Sequence, residues 1–206
     1  MPLVHCLRLP TLCLLGVLLI GGCIQVQPAE EASFDEAADE VPTPPPSLSV
    51  IAIEAAVFDA VNDARAERGF DRLAPDDALD GLARSHSERM ATVGFFDHRD
   101  DAGQLAHQRA QAAGYAYRRF GENLFRGALW DTRTLQRTSL GEESVTYRWH
   151  TPESLAAEVV QGWLTSPSHR ENMLSADYRN QGIGVAADDD QDIYVTQTLS
   201  LPRSGS

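Results

Sequence analysis

The sequence contains no lysine, so all 17 of its basic residues are arginines. It also has 30 acidic residues, which give a net charge of −13, and its longest run of arginines is the pair Arg118-Arg119. A protein that binds nucleic acid through its phosphates needs a basic patch on its surface. The composition therefore argues against nucleic acid as a partner.

Cysteine is scarce, and Cys6, Cys13 and Cys23 all lie at the start of the chain. Any domain that follows them is free of disulfides, although exported domains commonly use them. About 150 residues are enough to bury one hydrophobic core without such cross-links. We therefore expect one disulfide-free domain.

Only one long apolar run is present, LPTLCLLGVLLIGGC at residues 9–23, and it is too short to span a bilayer comfortably. Since His5 and Arg8 precede it, it is typical of a secretion signal. Its end, Ile20 to Cys23, resembles the lipobox of bacterial-type lipoproteins, in which the cysteine is diacylated. We expect an exported cell-envelope protein, anchored to the membrane outer face through Cys23. The alternatives are an ordinary cleaved signal, which would give a secreted protein, and an uncleaved anchor.

Residues 24–49 carry six acidic residues, no basic ones and three consecutive prolines. Such a segment buries too little apolar surface to fold, so we interpret it as an extended tether. The predicted organisation is a signal peptide at 1–22, the lipidated cysteine and tether at 23–49, a domain at 50–202 and a tail at 203–206.

Helix-period apolar positions predict helices over residues 49–69 and from Asp77 to about Val93, and a third helix near 103–113. A fourth begins at Thr151 and ends before Pro167, because a residue that precedes proline avoids helical geometry. Residues 122–127 and 144–150 are predicted to be extended, and 182–187 with 193–200 form a hairpin around an acidic turn. With no βαβ alternation, the order indicates an α+β domain.

An ordered set of motifs runs through this domain. The set is similar to that of the CAP superfamily (SCP domains), which includes cysteine-rich secretory proteins, venom antigens and pathogenesis-related proteins. Its members here are Asn62 and Arg65, Phe96-Asp97-His98, Arg109 with Gly114, Gly121-Glu122-Asn123, Glu158 with Val160 and Trp163, Ser166-Pro167-Ser168-His169-Arg170, and Gly182-Ile183-Gly184.

The resemblance implies a three-layer α-β-α sandwich with an antiparallel central sheet. It also implies a cleft lined by His98, Glu122, Glu158 and His169. Two imidazoles with two carboxylates are a donor set suited to zinc or another divalent metal, although the sequence has no His-Glu-x-x-His motif. Without a metal, the carboxylates would favour protonated imidazoles and raise the pKa of the histidines.

Each position also has a simpler interpretation. Glu122 would only hold its loop, and Glu158 would be a solvated helix residue. His86, on the stripe of the second helix, is interpreted as a hydrogen-bonded core residue; His107 and His150 are expected at the surface, and Arg109 and Arg170 to pair with carboxylates. Residues 128–152, with Trp130, Tyr147 and Trp149, are expected to form a flap over the cleft.

Three functions follow. The favoured one is a non-enzymatic binding module that holds a divalent metal in the cleft and a lipid, peptide or glycan beside it. The second is a zinc-dependent hydrolase with Glu122 or Glu158 as general base. The third is a structural tethered domain. The sequence contains no Gly-x-Ser-x-Gly nucleophile motif, which favours binding over catalysis.

Overall fold

A computed structural model of the protein describes residues 49–203. The predicted signal peptide, the lipidation of Cys23 and nearly all of the tether lie outside the described residues, as do residues 204–206. The helices are α1 (Val50–Ala66), α2 (Asp77–Val93), α3 (Ala106–Ala112), α4 (Pro152–Thr165) and α5 (Pro167–Met173). The strands are β1 (Ala74–Pro75), β2 (Tyr117–Ala128), β3 (Trp130–Arg137), β4 (Glu143–Trp149), β5 (Asn180–Ala187) and β6 (Asp192–Pro202).

The central sheet has the strand order β1-β5-β6-β2. The β5–β6 and β6–β2 pairs are antiparallel, as predicted, and the two-residue strand β1 adds a short parallel pair at the β5 edge. The side chain of Asn62 fixes the approach to β1, because it donates to the Leu73 carbonyl at 3.1 Å and accepts from the Leu73 amide at 2.7 Å. The strand therefore depends on a tertiary contact rather than on its own two residues.

Helices cover both faces of this sheet, as the predicted α-β-α sandwich requires. Alternate residues of a strand point to opposite faces. Ile183 and Val185 belong to the main core with α1 and α4. On the other face, Gly184 meets α2 directly: a Cβ built there would lie 2.0 Å from the amide nitrogen of Arg84. The helix α2 thus packs on bare strand backbone.

The long helices begin within a residue of their predicted starts, although α1 ends at Ala66 rather than at the predicted residue 69. Ser49, Asp76 and Thr151 cap α1, α2 and α4 with side-chain oxygens that accept backbone amides. Gly94 ends α2 in the left-handed region at φ 79°. Helix α3 is shorter than predicted, because residues before Ala106 form a turn closed by a bridge between Arg99 and Leu105.

Residues 130–149 form a separate two-stranded sheet, of which the sequence predicted only the second strand. Trp130, Tyr147 and Trp149 cluster on one of its faces, with neighbouring ring centroids 5.6 and 5.7 Å apart. Only the base of this hairpin reaches the core, through Trp149. Its remaining surface is largely exposed.

Across residues 49–203, every helix is too short or too polar to cross a membrane.

Candidate functional site

The candidate site is built around β2, an edge strand of the central sheet. Glu122 and Asn123 are consecutive on this strand, so their side chains point to opposite faces. Glu122 pairs with Thr198 across the ladder and lies on the face covered by α2, whereas Asn123 faces α5. The strand therefore presents polar groups to both helical layers at one point.

The carboxylate of Glu122 is fully engaged. Its side chain is 3% exposed, Oε1 accepts from His98 Nδ1 at 2.9 Å, and Oε2 accepts from Arg109 Nη2 at 2.5 Å. Arg109 also donates to the His98 carbonyl at 2.8 Å and to the Gln104 carbonyl at 3.0 Å. The predicted pairing of Arg109 with a carboxylate is thus confirmed, and the same guanidinium group holds the loop that carries His98.

The hydrogen bond from His98 fixes the tautomer of its ring. A carboxylate oxygen only accepts, so Nδ1 carries the proton and Nε2 keeps its lone pair in a neutral ring. The side chain of His98 is 48% exposed. His98 therefore presents a half-exposed acceptor nitrogen, backed by a buried carboxylate.

Helix α5 positions His169. Ser166 is extended, Pro167 occupies the first helical position, and residues 167–173 form a separate short helix that the sequence did not predict. Asn123 donates to the His169 carbonyl at 3.0 Å, and Asn172 donates to the Glu122 carbonyl at 3.2 Å. These amide bonds fix α5 against β2.

Arg65 holds the other end of α5, a role that the sequence analysis missed. Its guanidinium is fully buried and donates to the carbonyls of Met173 and Ser175 at 2.5 and 3.0 Å. The last carbonyl groups of a helix have no partner within the helix, and the guanidinium of Arg65 satisfies carbonyls at this end of α5. In the sequence, Arg65 stood out only as a member of the ordered motif set.

The imidazoles of His98 and His169 face each other with ring centroids 6.5 Å apart. Burial lowers the pKa of His169, and the neighbouring His98 lowers this pKa further. For His169, the shift is opposite to the expected rise. The reason is that the charge of Glu122 is already matched by Arg109, and no second carboxylate reaches His169 among its described neighbours.

Glu158 is not brought into this group. Its Oε2 lies 3.1 Å from His150 Nε2, and its Oε1 lies 3.7 Å from a Cβ built on Gly127. Gly127 is five residues beyond Glu122 on the opposite face of β2, which is roughly 17 Å along an extended strand. Glu158 thus lies at the base of the β3–β4 hairpin rather than in the cleft.

His150, expected at the surface, is 7% exposed. It is enclosed because β4 leads directly into α4, and its Nδ1 lies 3.0 Å from the hydroxyl of Ser154, part of the cap of that helix. The His150–Glu158 pair therefore joins the hairpin to α4, an arrangement that no local pattern in the sequence indicates.

A cavity of about 190 Å³ adjoins His98 and Glu122. Apolar side chains form much of its wall, and His107, exposed as predicted, contributes to the rim. The predicted flap is absent from this wall: within the described part of the chain, none of the lining residues comes from the hairpin. The lining residues are His98, Leu105, Ala106, His107, Phe120, Gly121 and Glu122.

The donor set at this site is smaller than predicted. Between residues 49 and 203, no three His, Cys, Asp or Glu side chains are grouped closely enough to hold a metal ion. Two imidazoles lie together, with Glu122 behind one of them, and the zinc site stays a prediction. Chemically, the pair offers two imidazole nitrogen donors beside a small, partly apolar cavity.

The sequence model of the cysteine-rich secretory protein (CAP) family matches residues 58–199. The uncharacterized protein YkwD of Bacillus subtilis (strain 168) is 28% identical over 136 residues, which make up 66% of this chain and 43% of that protein. The chain therefore spans less than half the length of this relative.

Solved structures share the fold. An extracellular protein containing a SCP domain from Bacillus anthracis matches with a TM-score of 0.54 and 22% identity, over 73% of this chain and 41% of that one. An outer surface protein from Borrelia burgdorferi matches with a TM-score of 0.59 and 17% identity, over 75% of this chain and 96% of that one.

Proposed function

Because the chain belongs to the cysteine-rich secretory protein (CAP) family, we propose that it is an exported, non-enzymatic binding protein that uses the His98–His169 cleft to hold a divalent cation. Two similar structures are described as an extracellular and an outer surface protein, which supports export. The apolar run at residues 9–23 supports it independently. Anchoring through a lipid on Cys23 is part of the same proposal.

One observation carries the cation site: the 2.9 Å bond between His98 Nδ1 and Glu122. Histidines that ligate metals commonly donate their other ring N–H to a carboxylate, which orients the ring and increases the basicity of the ligating nitrogen. His98 has this arrangement, and its Nε2 is the donor. The second donor is His169, whose lowered pKa keeps it neutral at neutral pH.

The residues present fit a cation held by two imidazoles, with Glu122 as an orienting group. Both oxygens of Glu122 are occupied, one by His98 and one by Arg109, so neither is open for ligation. A zinc ion there would supply a Lewis-acidic centre for a carboxylate or carbonyl group of the bound molecule. Water or that molecule would fill the remaining coordination positions.

The cavity beside His98 limits the size of the chemical group that enters it. At about 190 Å³ it is smaller than the roughly 300–1,000 Å³ typical of small-molecule sites. Leu105 and Phe120 give it an apolar wall next to the polar pair. We infer that it accepts one apolar group of a larger lipid, peptide or glycan ligand.

The hydrolase alternative has less support. A general base must reach the proton that it abstracts. The carboxylate of Glu122 is held by Arg109 and 3% exposed, and Glu158 pairs with His150 away from the imidazoles. Neither predicted base is therefore placed beside the two imidazoles with a free oxygen.

Zinc calorimetry on the full-length chain in detergent tests the cation site. His98→Ala and His169→Ala should each weaken binding at least about tenfold, because each removes one of two nitrogen donors. The matched control is Glu158→Gln, which removes a carboxylate that the original four-residue set requires and should leave binding unchanged. Loss of binding in the Glu158 variant, or equal binding in all variants, would contradict the two-histidine site.

Fractionation of the producing cells tests the anchor. Cys23→Ser should move the protein from the membrane fraction to the soluble fraction. Cys13→Ser should not, because only Cys23 ends the lipobox-like stretch Ile20 to Cys23. Membrane association of the Cys23 variant equal to wild type would refute lipidation at this residue.

A further inference from the structure

His86 is a buried polar residue whose role the cation site leaves unexplained. It lies on α2, is 1% exposed and shares its buried stripe with Leu79, Ala83 and Met90. Its Nδ1 is the only buried side-chain nitrogen or oxygen in residues 49–203 that has no hydrogen-bond partner. An unpaired buried acceptor is destabilising, so an apolar residue would suit this position better if packing were its only role.

The other ring nitrogen explains the histidine. Nε2 lies 3.0 Å from the Asp97 carbonyl oxygen, which only accepts, so Nε2 carries the proton and Nδ1 is the unpaired acceptor. The ring also contacts Phe95, with centroids 5.9 Å apart. His86 therefore binds the chain one residue before His98.

The segment that carries His98 needs such a bond. After α2 ends with its cap at Gly94, the chain crosses to the carboxylate of Glu122 through an irregular turn, in which the Asp97 side chain accepts the Arg99 amide at 2.7 Å. Arg109 holds the segment from the α3 side, through the carbonyl of His98. His86 holds it from the α2 side, so the two anchors bracket the backbone of His98.

We propose that His86 is a positioning residue for the cleft: its Nε2–H fixes the Asp97 carbonyl, and this holds His98 in the Glu122-bound tautomer. This proposal rests on the proposed function, in which His98 is a cation ligand whose orientation matters. His86 itself touches neither imidazole, and it acts through one backbone carbonyl.

The test is the tautomer of His98, read from two-bond ¹H–¹⁵N spectra of the labelled full-length chain in detergent at neutral pH. In the wild type, His98 should show protonated Nδ1 and bare Nε2. His86→Phe keeps an aromatic ring beside Phe95 but removes the donor, and His98 should then show a mixture of tautomers. His86→Gln has an amide donor and should restore part of the wild-type signal. Glu122→Gln provides the reference spectrum for His98 without its carboxylate.

A purely structural role for His86 predicts another pattern: a changed unfolding midpoint with an unchanged His98 tautomer. That result in His86→Phe would overturn the proposal. If the phenylalanine variant does not fold, the tautomer of His98 is measured in His86→Leu, which removes the donor with a smaller side chain.

Zinc affinity separates this proposal from the one on which it rests. If the wild type binds zinc, His86→Phe should bind about tenfold more weakly, in the range of outer-shell effects. If the wild type does not bind zinc, the proposed cation site fails, and the tautomer measurement still decides the role of His86.

Discussion

Glu122 is the residue on which the geometry of the cleft depends, because it is a buried carboxylate with two charged or polar partners from different segments. Its partner Arg109 has a side chain that is only 13% exposed. Pairs of this kind differ from the many exposed arginine–carboxylate pairs on this surface, for which the expected contribution is small.

Replacing Arg109 with alanine should therefore be strongly destabilising. It leaves the carboxylate of Glu122 buried without its cation and frees the carbonyls of His98 and Gln104, and breaking a buried pair in this way costs about 3–5 kcal/mol. Urea denaturation measures the loss. Arg137→Ala is the control: its pair with Glu143 is exposed, so a change of less than about 1 kcal/mol is expected. Equal effects of the two substitutions would refute the distinction.

At the scale of elements, α2 packs directly against the glycine backbone of β5. Bare glycine backbone on the strand lets the helix approach, and this contact places both His86 and the start of the loop that carries His98. The sequence analysis identified Gly182-Ile183-Gly184 as a motif. That these glycines make room for α2 became clear only from the structure, which places the helix against them.

Gly184→Ala should push α2 off the strand. A Cβ there meets backbone atoms of Ala83 and Arg84 at 2.0 to 2.4 Å, and backbone cannot rotate away as a side chain does. We expect a loss of about 3 kcal/mol or more in the free energy of unfolding. Gly81→Ala, on the exposed side of the same helix with no atom within 4 Å, should instead stabilise by about 0.5–1 kcal/mol. Thermal melts measure both effects. Melting temperatures that shift in the same direction in the two variants would contradict this interpretation.

Which elements were predictable follows from where their signals lie. Helices α1 and α2 and the β5–β6 hairpin carry their own periodicity and caps, so the sequence located them well. Strand β3 is largely exposed and shows no periodicity, and β1 exists because Asn62 holds Leu73. Pro167 follows the end of α4 and is the first residue of α5. The sequence analysis used this proline only to end α4 and therefore did not predict α5.

The site was predictable only in part. The proximity of His98, Glu122 and His169 came from the ordered motifs, not from spacing, because three segments far apart in the sequence supply them. The pairing of Glu158 with His150 depends on how β4 enters α4, which a family pattern does not specify.

For the whole molecule, buried histidine makes stability depend on pH. Burial lowers the pKa of His86 below its ordinary value of 6.5; Arg109 lowers it further, while Glu122, Asp100 and the bond to Asp97 oppose the shift. The unfolded chain therefore takes up the proton first. The stabilisation is fully present above about pH 6.5 and is lost as pH falls through the folded-state pKa.

The wild type should accordingly unfold at lower urea concentration at about pH 5 than at about pH 7.5, and His86→Phe should flatten part of that dependence. Asp80, whose pKa is raised by burial, acts in the opposite sense at acidic pH. The informative quantity is thus the difference between wild type and variant at each pH. A difference that does not change with pH would show that His86 does not titrate differently in the folded and unfolded chain.

The two imidazoles reach each other around the edge of the sheet, one from the layer of α2 and the other from α5 on the opposite face. Anything held by both would act as a removable cross-link between the two halves of the sandwich, closing about 70 residues of chain into a loop. Because such a cross-link restricts the unfolded chain, occupancy of this small cleft would raise the free energy of unfolding of the domain, and loss of the occupant would remove that stabilisation.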